Sequence, residues 1–164
     1  MKPERVDAPP SGLSANIEAR LRSAGVRVSE PRRAVIDALI SSPDHVSSEE
    51  LALRLRHQGA RVSLSTVYRC LRKLVGVGVA REIRVGDTSR FELELGRDRH
   101  DHLVCIRCGV IIEFTQERLG PLAGDICRDH GWTAAPRIEI RATCGECARI
   151  GWGAAADRRV GPIR

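Results

Sequence analysis

The chain has 164 residues, enough for one medium domain or two small ones sharing a hinge; 42% are hydrophobic but only 3% aromatic, so its cores must be built from Leu, Val, Ile and Ala. A net charge of +6 and a pI near 9.4 favour an anionic partner, nucleic acid first. No apolar run approaches the length of a membrane span, and six cysteines without a signal peptide suggest a reducing compartment, so the expectation is a soluble cytoplasmic protein whose thiolates hold metal.

Residues 1–12 are polar and proline-rich and read as a mobile leader. Leu13, Ile17 and Leu21 then recur every four residues, predicting a short amphipathic helix that ends at Gly25. Ser29-Glu30-Pro31 opens a second helix, with a capping hydroxyl and a proline in the first turn, where its missing N–H costs nothing. Val35, Ile36, Leu39 and Ile40 give that helix its apolar face, and Ser42-Pro43-Asp44 stops it. A third helix starts at Ser47 or Ser48, carries Glu49 and Glu50 in its first turn, faces Leu51 and Leu55 inward and ends at Gly59.

The fourth helix, from Ser63, has two distinct faces. Val67, Cys70, Leu71 and Leu74 fall at i, i+3, i+4 and i+7, while Ser65, Tyr68, Arg69 and Arg72 lie opposite. Cys70 is thus a small core residue. The outer set suits a helix in the DNA major groove, where tyrosine touches thymine methyls and arginine reaches phosphates or guanine edges; a solvated basic face is the competing reading. After Gly76 and Gly78 the period drops to two. Val79, Ile83 and Val85, a turn at 86–89, then Phe91, Leu93 and Leu95 alternating with Arg90, Glu92 and Glu94 predict a β-hairpin. Helices followed by a hairpin outline a winged helix-turn-helix over residues 13–96, which strengthens the groove reading.

Residues 97–152 read as a smaller α/β unit, giving an α+β chain overall. Val110 to Phe114 is a short strand, Glu117 to His130 a helix, and Ile138, Ile140 and Ala142 a strand; residues 153–164 read as a loose tail. Cys105 and Cys108 form one C-x-x-C pair, and Cys144 and Cys147 a second after a domain-sized insert. Two such pairs can close a tetrahedron of sulfurs about 2.3 Å from a structural Zn²⁺. Disulfides or redox dithiols are the alternative, disfavoured because neither pair is expected to open a helix after a strand. His100 and His102 alternate along an extended segment, so both rings can point to one side and reach a second ion. A zinc-dependent hydrolase using this pair with Glu92 as general base is a remote alternative. It lacks an H-E-x-x-H pattern and leaves the two-faced basic helix unexplained, so the chain is not read as an enzyme.

Pro31-Arg32, His45-Val46-Ser47, Ser65-Thr66-Val67-Tyr68-Arg69-Cys70-Leu71, Arg90-Phe91-Glu92, the run from His100 to Gly109, Glu113-Phe114 and the final Cys144 and Cys147 together resemble the ferric uptake regulator family of metal-dependent bacterial repressors. The resemblance runs from about Leu13 to Ile150. It implies a winged-helix DNA-binding domain, a C-terminal dimerisation domain, and a homodimer binding inverted-repeat double-stranded DNA operators of metal homeostasis genes. It implies a structural zinc on Cys105, Cys108, Cys144 and Cys147, and a regulatory ion at the hinge held by His45, Glu92, His100 and His102, with Glu113 as a further oxygen donor. It also places Ser65, Thr66, Tyr68, Arg69 and Arg72 at the DNA, with Tyr68 on the bases, Arg69 on phosphate, and Arg27 where a basic residue enters the minor groove. Where relatives build an additional metal site, this chain has Gly120, Pro136 and Arg99, so the resemblance implies that site is absent. Three imidazoles and one or two carboxylates without a thiolate suit Fe²⁺ first, then Zn²⁺, with Mn²⁺ or peroxide sensing behind. Zinc-sensing relatives commonly place a cysteine there, and the peroxide-sensing branch typically has Asp where Glu92 stands.

Overall fold

The computed structural model describes residues 12–42, 45–135 and 137–150. The expected leader apart from Gly12, the tail, the helix stop at Pro43-Asp44 and the position of Pro136 lie outside the described residues. The chain forms two compact units dividing between Arg97 and Asp98.

In the first unit, α1 (Leu13–Ser23) buries Leu13, Ile17 and Leu21, the stripe that the four-residue spacing predicts. Glu18 on the same helix is pinned by Arg22 at 2.5 Å and by Arg33 of the next helix at 2.6 Å. Its carboxyl is held below the usual carboxylate range, chiefly by the hydrogen bond from Arg33. In α2 (Glu30–Ile40), Pro31 sits in the first turn as expected. Ser29 is at the N-cap, but its hydroxyl makes no capping bond; its carbonyl accepts from the Arg33 amide at 2.9 Å.

A full capping box opens α3 (Ser48–His57). Ser47 Oγ accepts from the Glu50 amide at 3.1 Å, and the Glu50 carboxylate accepts from the Ser47 amide at 2.8 Å. Ser63 caps α4 (Leu64–Gly76) by accepting from the Thr66 amide at 3.3 Å. Val67, Cys70, Leu71 and Leu74 of α4 are buried against Leu39, Leu51 and Leu55 in one core. Each fully buried Leu or Val contributes about 1.5–3 kcal/mol. Burial pushes the Cys70 thiol up to about 11, which agrees with its reading as a core residue.

The hairpin is β1 (Ala80–Val85) and β2 (Thr88–Leu93), paired antiparallel around Gly86-Asp87. Gly86 takes φ +57°, which a first central turn position of this hairpin class requires. Phe91 lies at the centre of the wing's inner face and is fully buried. Opposite β2, Val46 forms an isolated antiparallel bridge with Phe91 through bonds of 2.9 and 2.7 Å.

The second unit is a three-stranded sheet with two helices. Its order is β4 (Ile111–Phe114), β3 (Asp101–Cys105), β5 (Glu139–Ala142), with β3 antiparallel to β4 and parallel to β5. Between β4 and β5 runs α5 (Leu119–Asp129), and β5 leads into α6 (Gly145–Arg149). That last helix is a correction to the sequence reading: Cys144 follows a strand and stands at the N-cap of a helix, accepting from the Cys147 amide at 3.5 Å. Five residues are too few to show a helical period, so the pattern was silent there.

Candidate metal centres and nucleic-acid interface

The hairpin of β3 and β4 carries Cys105 and Cys108, while Cys144 caps α6 after β5 and Cys147 lies within that helix. Parallel pairing brings the two ends together, since Cys105 is in register with Ala142. The four sulfurs all lie within 4.8 Å of one another, with Cys108 Sγ and Cys144 Sγ 3.7 Å apart. A sulfur tetrahedron with bonds of about 2.3 Å has edges of about 3.8 Å, so these residues fit a zinc ion. All four are free thiols.

Backbone amides point at one of the sulfurs. Cys105 Sγ accepts from Cys144 at 3.3 Å and Arg107 at 3.4 Å. Bonds from the Cys144 and then the Cys108 amide pull its thiol down to about 6, toward the thiolate a metal needs. Cys147 goes the other way. Burial and the neighbouring sulfurs hold its thiol up to about 12, so four thiolates cannot share this space without a compensating cation.

The remaining ligand candidates fall into two sets, one in each unit. In the first unit, the Val46 to Phe91 bridge places His45 beside Glu92, with Nε2 3.4 Å from the carboxylate. Glu92 is 1% exposed, although it alternates with apolar residues along its strand. The same carboxylate oxygen takes Arg97 at 3.1 Å, and a buried charge is tolerable only with such partners. Arg90, to which the sequence assigned no role, donates to the His45 carbonyl at 3.3 Å and to both Glu50 oxygens at 2.9 and 2.7 Å. A single guanidinium nitrogen, Nη1, thereby ties the α3 cap to the segment carrying His45.

In the second unit, His100 and His102 project from one side as the period of two predicts, their rings 4.9 Å apart and both buried. His102 is in register with Glu113 on β4. Nδ1 of His100 is 2.9 Å from the Asp98 carbonyl, an acceptor only, which places the proton of the neutral ring on Nδ1. Nε2 then offers its lone pair, 3.9 Å from the Glu113 carboxylate. Asp101 between the histidines accepts from the Ile138 amide at 2.8 Å. At Gly120 a Cβ would lie 3.0 Å from the Arg99 guanidinium, so a cationic side chain occupies the space beside this helix start.

The outer face of α4 exposes Ser65, Tyr68, Arg69 and Arg72. A groove between the start of α4 and the wing tip is lined by Leu64, Ser65, Tyr68, Asp87, Thr88 and Ser89. Not every expected contact residue is equally available. Thr66 is half-buried, its hydroxyl 2.9 Å from that of Ser63, and Arg72 is paired with Glu82 of β1. Arg69 stays exposed with Nε on the Ser65 carbonyl, and Arg27 is exposed ahead of α2.

Residues 23–140 match the model of the ferric uptake regulator family. The ferric uptake regulation protein of Shigella flexneri is 40% identical over 114 residues, covering 68% of this chain and 76% of that protein. A peroxide-responsive repressor of Staphylococcus aureus is 33% identical over 135 residues, covering 79% and 87% respectively. The crystal structure of the Vibrio cholerae ferric uptake regulator superposes with a TM-score of 0.63 at 30% identity, covering 77% of this chain and 98% of that one. On the extent of these matches, the chain belongs to the ferric uptake regulator family of metal-responsive, DNA-binding regulators.

Proposed function

We propose that this chain is a homodimeric repressor of metal homeostasis genes whose operator affinity is set by a regulatory divalent ion. Fe²⁺ is the favoured ion, then Zn²⁺, with Mn²⁺ or peroxide sensing as the remaining variants. The carrying observation is the His45 and Glu92 pair: a buried imidazole and carboxylate built into the DNA-binding unit itself. The family resemblance assigns His100, His102 and Glu113 of the second unit to the same ion, and we adopt that ligand set. An ion shifts a conformational equilibrium only by its differential affinity for the two states. That differential arises here because His45 and Glu92 reach the ion in one interdomain arrangement alone, in which the two α4 helices of a dimer meet successive major grooves.

The preference for iron rests on donor type, since none of these residues offers a thiolate. Cys70 is in the core of the first unit, and Cys127 lies on α5. Glu at position 92 weighs against the peroxide-sensing branch. Cys105, Cys108, Cys144 and Cys147 hold the structural zinc. On the DNA side, Tyr68 and Ser65 read base edges, Arg69 contacts phosphate, Arg27 enters the minor groove, and Thr66 and Arg72 support the helix at the backbone.

Dimerisation is supported by an apolar row across the second sheet, where Leu103 is in register with both Ile112 and Ile140 and all three are exposed. Leu122 and Ile126 add an exposed i, i+4 pair on α5. A second copy of the same surface covers such a patch. The reading is tested by titrating operator binding with Fe²⁺, Mn²⁺ and Zn²⁺ under anaerobic conditions, with total metal content measured. Affinity must rise with one added equivalent beyond the structural zinc; operator binding indifferent to all three ions would defeat it.

A further inference from the structure

The first unit contains its own path from ion ligands to DNA. Phe91 lies between Arg90, which holds the His45 carbonyl, and Glu92, whose carboxylate meets the His45 ring. Its backbone makes both bonds of the bridge to Val46, the residue after His45. Its side chain is fully buried and stands edge-on to the Tyr68 ring, centroids 6.4 Å apart and planes at 80°. Tyr68 is 42% exposed, so one side of that ring is outside while another leans on Phe91. A bridge of two backbone bonds is short and stiff, and a packed core transmits displacement because it has no slack to absorb it.

We propose that Phe91 is a positioning residue that couples the His45 and Glu92 pair to Tyr68, so that drawing those two ligands onto an ion sets the pose of the base-reading ring within one domain. The inference rests on the function proposed above and adds to it. Reorienting whole domains changes where α4 is placed, whereas this contact changes what α4 presents once placed. The edge-on pair is of a kind that changes an equilibrium by about two- to tenfold. It therefore adjusts specificity and does not by itself switch binding on.

Tyr68 is the sole tyrosine of the chain, so its ring resonances can be followed without ambiguity in protein carrying labelled tyrosine. In full-length protein already holding one equivalent of zinc, a second equivalent of Zn²⁺ is expected to shift those resonances. Phe91→Leu is expected to bind the second equivalent, abolish the shift, and lower operator affinity about two- to tenfold while leaving salt-dependent binding to random DNA unchanged. In a double-mutant cycle, Phe91→Leu and Tyr68→Ala are expected to be non-additive for operator binding. Resonances that stay fixed on metal binding in the wild-type protein overturn the proposal even if the variant does not fold, and so does additivity of the two substitutions. If Tyr68→Ala itself leaves operator binding intact, the DNA reading fails with it. If Tyr68→Ala weakens binding and Phe91→Leu does not, the coupling alone fails.

Discussion

Replacing Cys105 with serine is expected to unfold the second unit and leave the first standing. Among the described residues from Asp98 onward, the buried apolar side chains are Val104 and the thiols of Cys105 and Cys147. A buried valine contributes about 1.5–3 kcal/mol, far less than the conformational entropy of ordering a unit of this size. A structural zinc contributes roughly 10–16 kcal/mol in small metal-dependent domains, so with the zinc proposed for these thiols, metal binding and folding are expected to be one event. The Cys105 sulfur also accepts the Cys144 and Arg107 amides, which join the first knuckle to the second. Serine loses the zinc bond, and a hydroxyl does not span the sulfur's distances to those amides. Hydrogen exchange read by mass spectrometry provides the assay. In Cys105→Ser, or in wild-type protein after chelation, amides of residues 101–142 are expected to lose protection while those of α1 to α4 keep it, and sedimentation should show dimers dissociating. Full protection of β3 and β5 with zinc removed would refute the reasoning.

The other predictions concern the ion, the DNA and the fold. His102→Ala is expected to keep the fold and the structural zinc yet lose metal-dependent operator binding, with affinity in a gel-shift titration no longer responding to added Fe²⁺ or Mn²⁺. Arg69→Ala is expected to weaken binding evenly across DNA sequences and reduce the salt slope by about one, as a phosphate contact does, whereas Tyr68→Ala should relax sequence preference instead. Ser47→Ala removes half of the α3 capping box and should lower stability of the first unit by about 1 kcal/mol in urea denaturation. Glu18→Gln should narrow the difference from wild type as pH falls. A carboxyl whose folded pKa is depressed stabilises above its unfolded value near 4.5 and loses that contribution as pH drops through the lower folded one, which melting curves between pH 7 and about 3 will show.

The helical part of the first unit was legible because a single core face repeats along each helix: Leu13, Ile17 and Leu21, then Val67, Cys70, Leu71 and Leu74, are apolar where they are buried. The thiol cluster was legible from spacing, since two short knuckles at the ends of one sheet must meet if their strands pair, and β3 and β5 do. The depth of Glu92 was not legible, because alternation assumes water on one side of a strand. At β2 that side is taken by His45 and Arg97, so a charged residue is as buried as its apolar neighbour Phe91. The Val46 bridge and the Arg90 link left no signal, because one bridged pair and one salt link have no period. The helix after Cys144 is likewise shorter than two turns.

Donor chemistry explains how one chain can keep one ion and respond to another. Four thiolates fill a tetrahedral site completely, leaving no open position, and soft sulfur holds zinc tightly enough for the ion to act as part of the fold. Imidazole and carboxylate donors bind first-row divalent ions more weakly and less selectively, following a common affinity order that the protein cannot reverse by ligand choice. A sensor needs that weakness, because its ion must leave when supply falls. His45 and Glu92 lie in the first unit and the thiols in the second; under the function proposed above, loss of the weak ion is then expected to change DNA affinity while the strong ion keeps the second unit folded. If instead the regulatory ion exchanged no faster than the zinc in a competition with chelator, this division of labour would have no physical basis.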